Sequence, residues 1–535
     1  MRRKLEYWSR RRSGILRYIV KREEMQALDA YTIEEIGIPS MVLMERAAMA
    51  VTQVIMDYTK ELELADPARI LVVTESGNNG GDGLAAARML YEQGCQVQVY
   101  QIGGVKKTSE QYQQQKQILE KLGIPVVYGV TEEAMQEWQK LRYDVVVDAV
   151  FGVGLKREIL SPQREVIEAM NQLKGFKCAV DIPSGIDSTD GALLGIAFQA
   201  DVTVTFGWEK TGQLLGAGPE YCGTLWVADI GFPQKAAEKI NPECYCYDRE
   251  DLMHLPVRRT TGNKGTFGKT AIIAGSETVC GAAVLSAAGA YHTGCGLVEI
   301  ITHVNNREAV QKLLPEALLK VYDSKEEAVQ LVAEAAQWAD IMVIGPGIGT
   351  DETGTAMTLQ ALEQDCPLVV DADAITILSR QDAWWKLRRT YNTKGGKDLQ
   401  MILTPHMKEM ERISRISMLQ LKERPWDGAR RLAEIGVTCV LKDARTVVME
   451  PDGAGCYINL SGNDGMATGG SGDVLTGVIA SLAAQGLPLG EAARSGVYLH
   501  GLGGDRAAES KGQYSMLAGD IMEGVEQVLK EWNRG

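Results

Sequence analysis

Short apolar runs alternate with longer amphipathic segments along almost the whole of this chain. Runs such as Ile-Leu-Val-Val at 70–73 are typical of strands that are buried on both faces. Strands are predicted in the first half over 70–74, 96–100, 126–128, 145–150, 178–181, 202–206 and 224–229. Strands are predicted in the second half over 269–274, 297–302, 340–344, 368–371, 401–403, 439–441 and 446–449. Because helical segments such as 84–93 and 109–122 separate most of these strands, the pattern predicts parallel βαβ units.

The alternation lapses near 244–261, where the sequence is polar and irregular. We therefore predict a domain boundary at 245–255, with a first domain over 23–245 and a second over 250–535. Residues 1–22 are basic and are predicted to form a solvated extension. The first domain should open with a helical pair over 25–58, broken at Gly37-Ile38-Pro39, and residues 382–400 should form a helix end and a solvated loop.

Composition and charge narrow the class of protein. The 535 residues carry a net charge of −14, which argues against a general nucleic-acid binder because phosphate contacts need basic surface. No run of residues is apolar and long enough to span a membrane. The ten cysteines form no CxxC pair, so we expect reduced thiols in a cytoplasmic protein.

A glycine-rich run in the second half, Gly469-Gly470-Ser471-Gly472-Asp473, precedes an apolar segment with helical spacing. A helix that begins near Gly472 would direct unpaired N–H groups at an anion, and the glycines would let phosphate oxygens approach closely. Asp473 would then lie at the mouth of an anion hole, where a carboxylate can accept the proton of a hydroxyl that attacks phosphorus. Taken alone, Asp473 could instead be a first-turn acid that stabilises the helix.

A second glycine-rich run, Gly77-Asn78-Asn79-Gly80-Gly81-Asp82-Gly83, connects a predicted strand to a helix in the first half. Its asparagines offer carbonyl oxygens, which can bind a hard cation. Asp148 and Asp181 end two further predicted strands, and the carboxyl ends of parallel strands share one edge of a sheet. These groups are therefore expected to converge on one site, although either acid alone could serve only a turn.

Further motifs in the second half resemble the ribokinase superfamily, and within it the ADP- or ATP-dependent NAD(P)H-hydrate dehydratases. They are Lys264-Gly265-Thr266-Phe267-Gly268-Lys269, Ala274-Gly275-Ser276, Gly294-Cys295-Gly296, Gly345-Pro346-Gly347-Ile348-Gly349, Asp371-Ala372-Asp373 and Leu403-Thr404-Pro405-His406. The resemblance implies substrate contacts from Ala282, Gly347, His406 and Asp473. It implies nucleotide contacts from Lys442, Asp443, Ala444, Arg445, Thr446 and Gly472. The implied reaction phosphorylates the hydroxyl of the hydrated nicotinamide ring and then expels phosphate, with magnesium on the phosphates.

The first half resembles the NAD(P)H-hydrate epimerase family. The supporting runs are Gly37-Ile38-Pro39, Leu43-Met44-Glu45-Arg46-Ala47 and Asp229-Ile230-Gly231-Phe232-Pro233, together with the glycine-rich run. The resemblance implies a potassium ion on Asn79, Asp148 and Ser184. It implies that the substrate is bound by Asn78, Asn79, Gly80, Gly81, Asp82, Gly152, Val153, Gly154, Leu155, Lys156, Arg157, Glu158 and Asp181. Asp181 is the candidate for acid–base catalysis.

Together the two resemblances predict an α/β protein with two three-layer αβα domains, an N-terminal Rossmann-like domain and a C-terminal ribokinase-like domain. The implied enzyme interconverts the R and S forms of NADHX and NADPHX and dehydrates the S form at the expense of ADP, giving AMP and phosphate. We also expect a homo-oligomer. One alternative is a vitamin-type small-molecule kinase that uses the same Asp473. Another is a first domain that only binds a ligand or partner.

Overall fold

The computed structural model describes residues 17–61, 67–103, 108–380, 400–451, 453 and 455–532. The chain divides into two compact units between Cys244 and Tyr245. The predicted loop over 382–400 lies outside the described residues apart from Gln400, and so do residues 1–16 of the predicted extension.

The first unit is built on a seven-stranded sheet. The strands that precede the second unit are β1 (Arg17–Ile19), β2 (Arg69–Thr74), β3 (Gln96–Gln101), β4 (Val126–Tyr128), β5 (Val145–Ala149), β6 (Phe176–Val180), β7 (Val202–Phe206) and β8 (Thr224–Ala228), followed at the boundary by β9 (Cys244–Cys246). The sheet has the order β4-β3-β2-β5-β6-β7-β8, and every neighbouring pair is parallel. The helices are Arg22–Ala30, the π-helical turn Tyr31–Glu35, Ser40–Glu61, Asn78–Glu92, Glu110–Lys121, Glu132–Lys140, Gln163–Gln172, Thr211–Leu214, Gly218–Cys222 and Gln234–Ile240.

Alternate residues of β2 enter two separate cores, one on each side of this sheet. Ile70 and Val72 pack against Leu84 and other apolar residues on one side. Leu71 and Val73 pack with Val166 and their neighbours on the other. Because successive side chains of a strand point to opposite faces, helices cover both faces and the unit has three layers.

Packed structure begins before Glu23, where the sequence pattern placed its start. Ile19 and Val20 are fully buried, and the backbone N–H of Val20 donates to the carbonyl of Glu209 at 2.9 Å. Arg22 is also buried and donates to the carbonyl of Leu155 at 2.9 Å. Residues 17–22 are therefore part of the first unit, since their short apolar run pairs with a distant segment that the local pattern does not reveal.

The glycine-rich run 77–83 is the first turn of a helix rather than a loop ahead of one. The helix begins at Asn78, six residues before the predicted start at Leu84. A Cβ on Gly80 would lie 1.8 Å from the carbonyl oxygen of Glu75, and one on Gly83 would lie 2.3 Å from the Cβ of Ala149. Glycine is a poor helix former, but here it permits a contact between helix and sheet that no larger residue would allow.

Gly80→Ala is expected to destabilise the first unit by about 1–3 kcal/mol, because the added methyl group overlaps backbone that cannot move freely. Gly77→Ala is a matched control, since its Cβ would meet nothing within 4 Å. Thermal unfolding of both variants checks the prediction. A Gly80→Ala variant as stable as Gly77→Ala would contradict it.

The sheet of the second unit combines parallel strands with an antiparallel edge. Its strands are β10 (Lys269–Ile273), β11 (Leu297–His303), β12 (Leu318–Tyr322), β13 (Ile341–Ile344), β14 (Leu368–Val370), β15 (Met401–Leu403), β16 (Thr438–Leu441), β17 (Val447–Met449) and β18 (Cys456–Ile458). From β18 the order is β18-β17-β16-β15-β14-β13-β10-β11-β12. The pairs β16·β17 and β17·β18 are antiparallel, and the remaining pairs of this series are parallel.

Helices flank this second sheet. They are Gly281–His292, Arg307–Leu313, Lys325–Trp338, Glu352–Leu362, Ala372–Arg380, Met407–Ser414, Met418–Glu423, Pro425–Ala433, Ser471–Ala484, Leu489–Lys511 and Ala518–Trp532. Short 3₁₀ turns lie at Arg249–His254, Lys264–Phe267, Val304–Asn306, Asp464–Met466 and Gln513–Ser515. The two units together confirm the predicted α/β class with parallel sheets.

The ten cysteines all lie in the described part of the chain, and none is in a disulfide. Eight are buried, while Cys280 and Cys366 are half-buried. Among the described residues, none of the helices is both long and apolar enough to cross a bilayer.

Candidate active sites

The first unit contains a cavity of about 870 Å³ at the carboxyl edge of its sheet. The predicted substrate-binding residues that line it are Asn78, Asn79, Asp82, Gly152, Val153, Gly154, Leu155, Lys156, Arg157 and Asp181. Three others, Gly80, Gly81 and Glu158, are not among its lining residues. The two glycines instead pack tightly behind it, since a Cβ on Gly81 would lie 2.6 Å from the Cε of Met44.

Asp148 and Ser184 form a buried pair beside this cavity. The Oγ of Ser184 donates to Asp148 Oδ1 and its backbone N–H donates to Oδ2, each at 2.7 Å. The backbone N–H of Phe151 in turn donates to the Oγ of Ser184 at 2.8 Å, which ties the loop after β5 to the pair. Burial raises the pKa of Asp148 to about 6, although the hydrogen bonds from Ser184 oppose this shift.

The Asn79 side chain is buried, and neither its oxygen nor its nitrogen has a hydrogen-bond partner among the described residues. Gly152 lies against it, because a Cβ on Gly152 would be 3.1 Å from Asn79 Oδ1. A buried amide without partners costs free energy, so the arrangement favours the binding of a polar group or an ion at this point.

Asp181 projects from the end of β6 with a left-handed backbone (φ 65°). Such a conformation costs about 1–3 kcal/mol in a non-glycine residue and is frequent at functional sites. The carboxylate Oδ1 accepts from the Oγ1 of Thr205 at 3.2 Å and from the backbone N–H of Phe206 at 3.1 Å. It also accepts from the Nζ of Lys210.

The prediction from sequence missed two groups in the same wall, Asp29 and Lys210. Asp29 lies in the helix Arg22–Ala30, and burial followed by the charge of Asp181 raises its pKa. Lys210 lies beyond β7 and is fully buried. The only signal for Lys210 in the sequence was its position soon after a predicted strand. A lysine at such a position is far more often solvated than buried.

In the second unit the helix Ser471–Ala484 begins at the glycine-rich run, one residue before the predicted start. Gly470 caps it in the left-handed region (φ 89°), and a Cβ there would lie 2.4 Å from the Cδ1 of Leu285. A Cβ on Gly469 would meet nothing within 4 Å. The first turn is therefore open to an anion, as an anion hole requires.

Asp473 lies in the first turn of this helix beside a charged network. Lys442 Nζ donates to Asp371 Oδ1 at 2.6 Å, and Thr476 Oγ1 donates to Asp371 Oδ2 at 2.8 Å. Burial, together with the charges of Asp371 and Asp373, raises the pKa of Asp473 to about 6, while Lys442 lowers it. A carboxylate with this pKa is a better base than an exposed aspartate and is still ionised near neutral pH.

Two of the predicted substrate contacts, Ala282 and Gly347, adjoin each other. A Cβ on Gly347, whose φ is 64°, would lie 3.3 Å from the Cβ of Ala282. His406 pairs with Lys442 through an isolated parallel bridge, which lies beyond the ends of β15 and β16. It also caps the helix Met407–Ser414, because its Nδ1 accepts from the backbone N–H of Lys408 at 3.1 Å.

The predicted nucleotide contacts Lys442, Asp443, Ala444, Arg445 and Thr446 form the turn between β16 and β17. A Cβ on Gly472 would lie 3.4 Å from the Nζ of Lys442, so this turn lies beside the anion hole. Asp443 is exposed and accepts the backbone N–H of Ala444 at 2.9 Å. Its carboxylate therefore stabilises the turn.

His500 is a further group that the sequence did not indicate. It is buried, and its Nε2 lacks a hydrogen-bond partner among the described residues. Burial lowers its pKa to about 4, so it is neutral at physiological pH.

Comparison with known proteins finds two family models that match separate parts of this chain. The family described as NAD(P)H-hydrate dehydratase matches residues 270–527, and the family described as YjeF-related protein N-terminus matches residues 40–212. The bifunctional NAD(P)H-hydrate repair enzyme Nnr of Thermofilum pendens is 35% identical over 524 residues, which is 96% of each chain. The enzyme of the same name from Moorella thermoacetica is 35% identical over 531 residues, 96% of this chain and 97% of its own.

Among solved structures, an ADP/ATP-dependent NAD(P)H-hydrate dehydratase from Bacillus subtilis, co-crystallised with ATP and Mg²⁺, is 30% identical with a TM-score of 0.47. The match covers 53% of this chain and 97% of that one. The similarity to these bifunctional relatives over nearly the full length of the chain decides the family. This chain belongs to the bifunctional NAD(P)H-hydrate repair enzymes.

Proposed function

We propose that this chain repairs damaged nicotinamide nucleotides with two active sites. The first unit interconverts R and S hydrates of NADH and NADPH, and the second dehydrates the S form with a nucleotide co-substrate. The observation that carries the proposal is Asp473, a partly buried carboxylate beside an open helix N-terminus, in a chain that also has a large cavity in its first unit. Asp473, Asp181 and the contacts described above are the residues proposed to act.

In the dehydratase site, Asp473 accepts the proton of the ring hydroxyl as its oxygen attacks the terminal phosphorus of the nucleotide. The N–H groups around Gly470 and Gly472 stabilise the negative charge that develops on the transferring group. Phosphate then leaves with the electron pair of the C–O bond, and loss of a proton from the adjacent ring carbon restores the ring double bond. Phosphate is a far better leaving group than hydroxide. A magnesium ion bound to the nucleotide phosphates would neutralise part of their charge.

The pH dependence of dehydration should report Asp473. Only its carboxylate can accept a proton, so activity should be lost as pH falls through about 6 and should be constant above it. We expect kcat/KM for S-hydrate to follow this single limb when magnesium and nucleotide are saturating. A flat profile between pH 5 and 8 would contradict the assignment.

In the epimerase site, Asn79, Asp148 and Ser184 fit a potassium ion. Asn79 brings an unpartnered buried carbonyl oxygen, and Asp148 brings a fully buried carboxylate. All three supply oxygen, the donor that hard cations prefer. A bound potassium ion would supply the positive charge that keeps Asp148 ionised and would tie the helix Asn78–Glu92 to the loop after β5.

An assay with S-hydrate, magnesium and either ADP or ATP tests the dehydratase proposal. We expect the absorbance of the reduced nicotinamide ring to recover, with one phosphate released for each ring restored. A stable phosphorylated product with no recovery would instead identify a small-molecule kinase. We propose ADP as the preferred co-substrate, and the same assay compares the two nucleotides directly.

A further inference from the structure

Lys210 is a charged residue with no access to solvent, and it lies at the wall of the first unit's cavity. Its Nζ donates to Thr205 Oγ1 at 2.7 Å, to the carbonyl of Phe206 at 3.1 Å and to Asp181 Oδ1. Three acceptors require three hydrogens, which only the ammonium form provides. Lys210 is therefore a buried cation whose single ionic partner in the described structure is Asp181.

The hydrogen bonds around Asp181 are asymmetric. Its Oδ1 receives three donors, from Lys210, Thr205 and the backbone of Phe206. No donor among the described residues reaches Oδ2. The backbone of Asp181 is also held, because Gln213 Nε2 donates to its carbonyl at 2.6 Å. One carboxylate oxygen is fixed in the protein, and the other is left for the cavity that Asp181 lines.

Three more carboxyl groups, those of Asp29, Glu75 and Asp82, line the same cavity. Burial and the charges of Asp181 and Asp29 raise the pKa of Asp82 well above its usual range. Lys210 is the one lysine in the described structure that bonds to Asp181, so its ammonium balances the charge of that carboxylate.

We propose that Lys210 is a positioning residue of the epimerase. It holds Oδ1 of Asp181 in the protein and so leaves Oδ2 for the substrate, while Asp82 in the same cavity wall acts as the acid. This inference rests on the proposed function of the first unit, and it assigns roles within that same site.

The chemistry follows from the hydrate, whose hydroxyl-bearing carbon adjoins the ring nitrogen. Asp82 gives its proton to the hydroxyl oxygen, and the C–O bond breaks with its electron pair leaving on water. The nitrogen lone pair forms a C=N bond, and the Asp181 carboxylate stabilises the cationic ring. Water then adds to the opposite face, the C=N pair returns to nitrogen, and the extra proton returns to the Asp82 carboxylate. No oxidant or reductant is needed.

The test uses the full chain without nucleotide, so that the dehydratase is idle and R-to-S exchange can be followed by proton NMR. We expect Lys210→Met to lower kcat by about 100-fold while KM changes by less than about threefold, because the residue acts through Asp181 and not on substrate. Asp181→Asn and Asp82→Asn should each lower kcat by a similar factor. Lys210→Met added to Asp181→Asn should cause no further loss, because the two residues act as one unit.

A matched threonine pair covers the case in which Lys210→Met fails to fold. Thr205→Val removes one donor to Asp181. Thr203→Val, on the same strand, removes a hydroxyl that among the described residues donates only to the carbonyl of Cys222, at 2.7 Å. We expect kcat to fall about tenfold for Thr205→Val and to stay within about twofold for Thr203→Val.

Equal rates for the two threonine variants would overturn the positioning role. So would a folded Lys210→Met variant with the activity of the unmodified chain, or a further loss when it is added to Asp181→Asn. Full activity in both Asp181→Asn and Asp82→Asn would instead overturn the proposed epimerase site. The Lys210→Met variant alone cannot show this, because Lys210 acts only through Asp181.

Discussion

Asp473→Asn is expected to lower the kcat of dehydration by about 10³-fold, because the amide has nearly the same shape but cannot accept the proton of the attacking hydroxyl. The KM values for S-hydrate and nucleotide should change little, since the anion hole and the Lys442–Asp371 pair remain. Single-turnover kinetics with S-hydrate and ADP measure the effect.

The same variant carries its own control. Epimerisation in the first unit should stay within about twofold of the unmodified chain, because Asp473 belongs to the second unit. A variant that keeps more than about a tenth of the dehydration rate would exclude Asp473 as the base and restore its alternative role as a first-turn acid.

Asp148→Asn is expected to abolish potassium dependence and to slow R-to-S exchange by about 100-fold, because a neutral amide cannot balance the charge of a buried cation. The unmodified chain should also melt at a higher temperature in potassium chloride than in sodium chloride, and the variant should not. Exchange rates across a potassium titration and thermal unfolding in the two salts measure these effects.

Asp144→Asn is the matched control, since Asp144 precedes the opposite end of the same strand and its carboxylate accepts only the backbone N–H of Arg69 among the described residues. It should keep both the exchange rate and the potassium response. If the unmodified chain neither catalyses exchange nor responds to potassium, the first unit is a ligand-binding module and its epimerase role is wrong.

The sequence predicted most of the strands because each is a local apolar run. Four strands were missed. Strand β1 lies within the predicted extension and β9 within the segment where the alternation lapses, β12 includes Lys320 within a half-exposed stretch, and β18 is only three residues long. The antiparallel pairing of β16, β17 and β18 was also missed, since strand direction depends on which partners meet in the folded chain. The boundaries of the other strands differ from the predicted ones by at most two residues.

The sequence predicted those site residues whose role is indicated by their position at the end of a strand or the start of a helix. Asp148 and Asp473 were found because one ends a strand and the other begins a helix. Lys210 and Asp29 were not, because only tertiary packing places them in the cavity wall with Asp181. His406 illustrates the remaining ambiguity, since it both caps a helix and pairs with Lys442 through an isolated bridge.

The central claim is that one chain carries both activities, and the fate of pure R-hydrate tests it most directly. The full chain, with magnesium, potassium and ADP, should convert R-hydrate completely to the reduced nicotinamide, faster than R-hydrate isomerises without protein. The Asp148→Asn variant should proceed only as fast as that unassisted isomerisation. Recovery by the unmodified chain at the unassisted rate, or no recovery at all, would contradict the account.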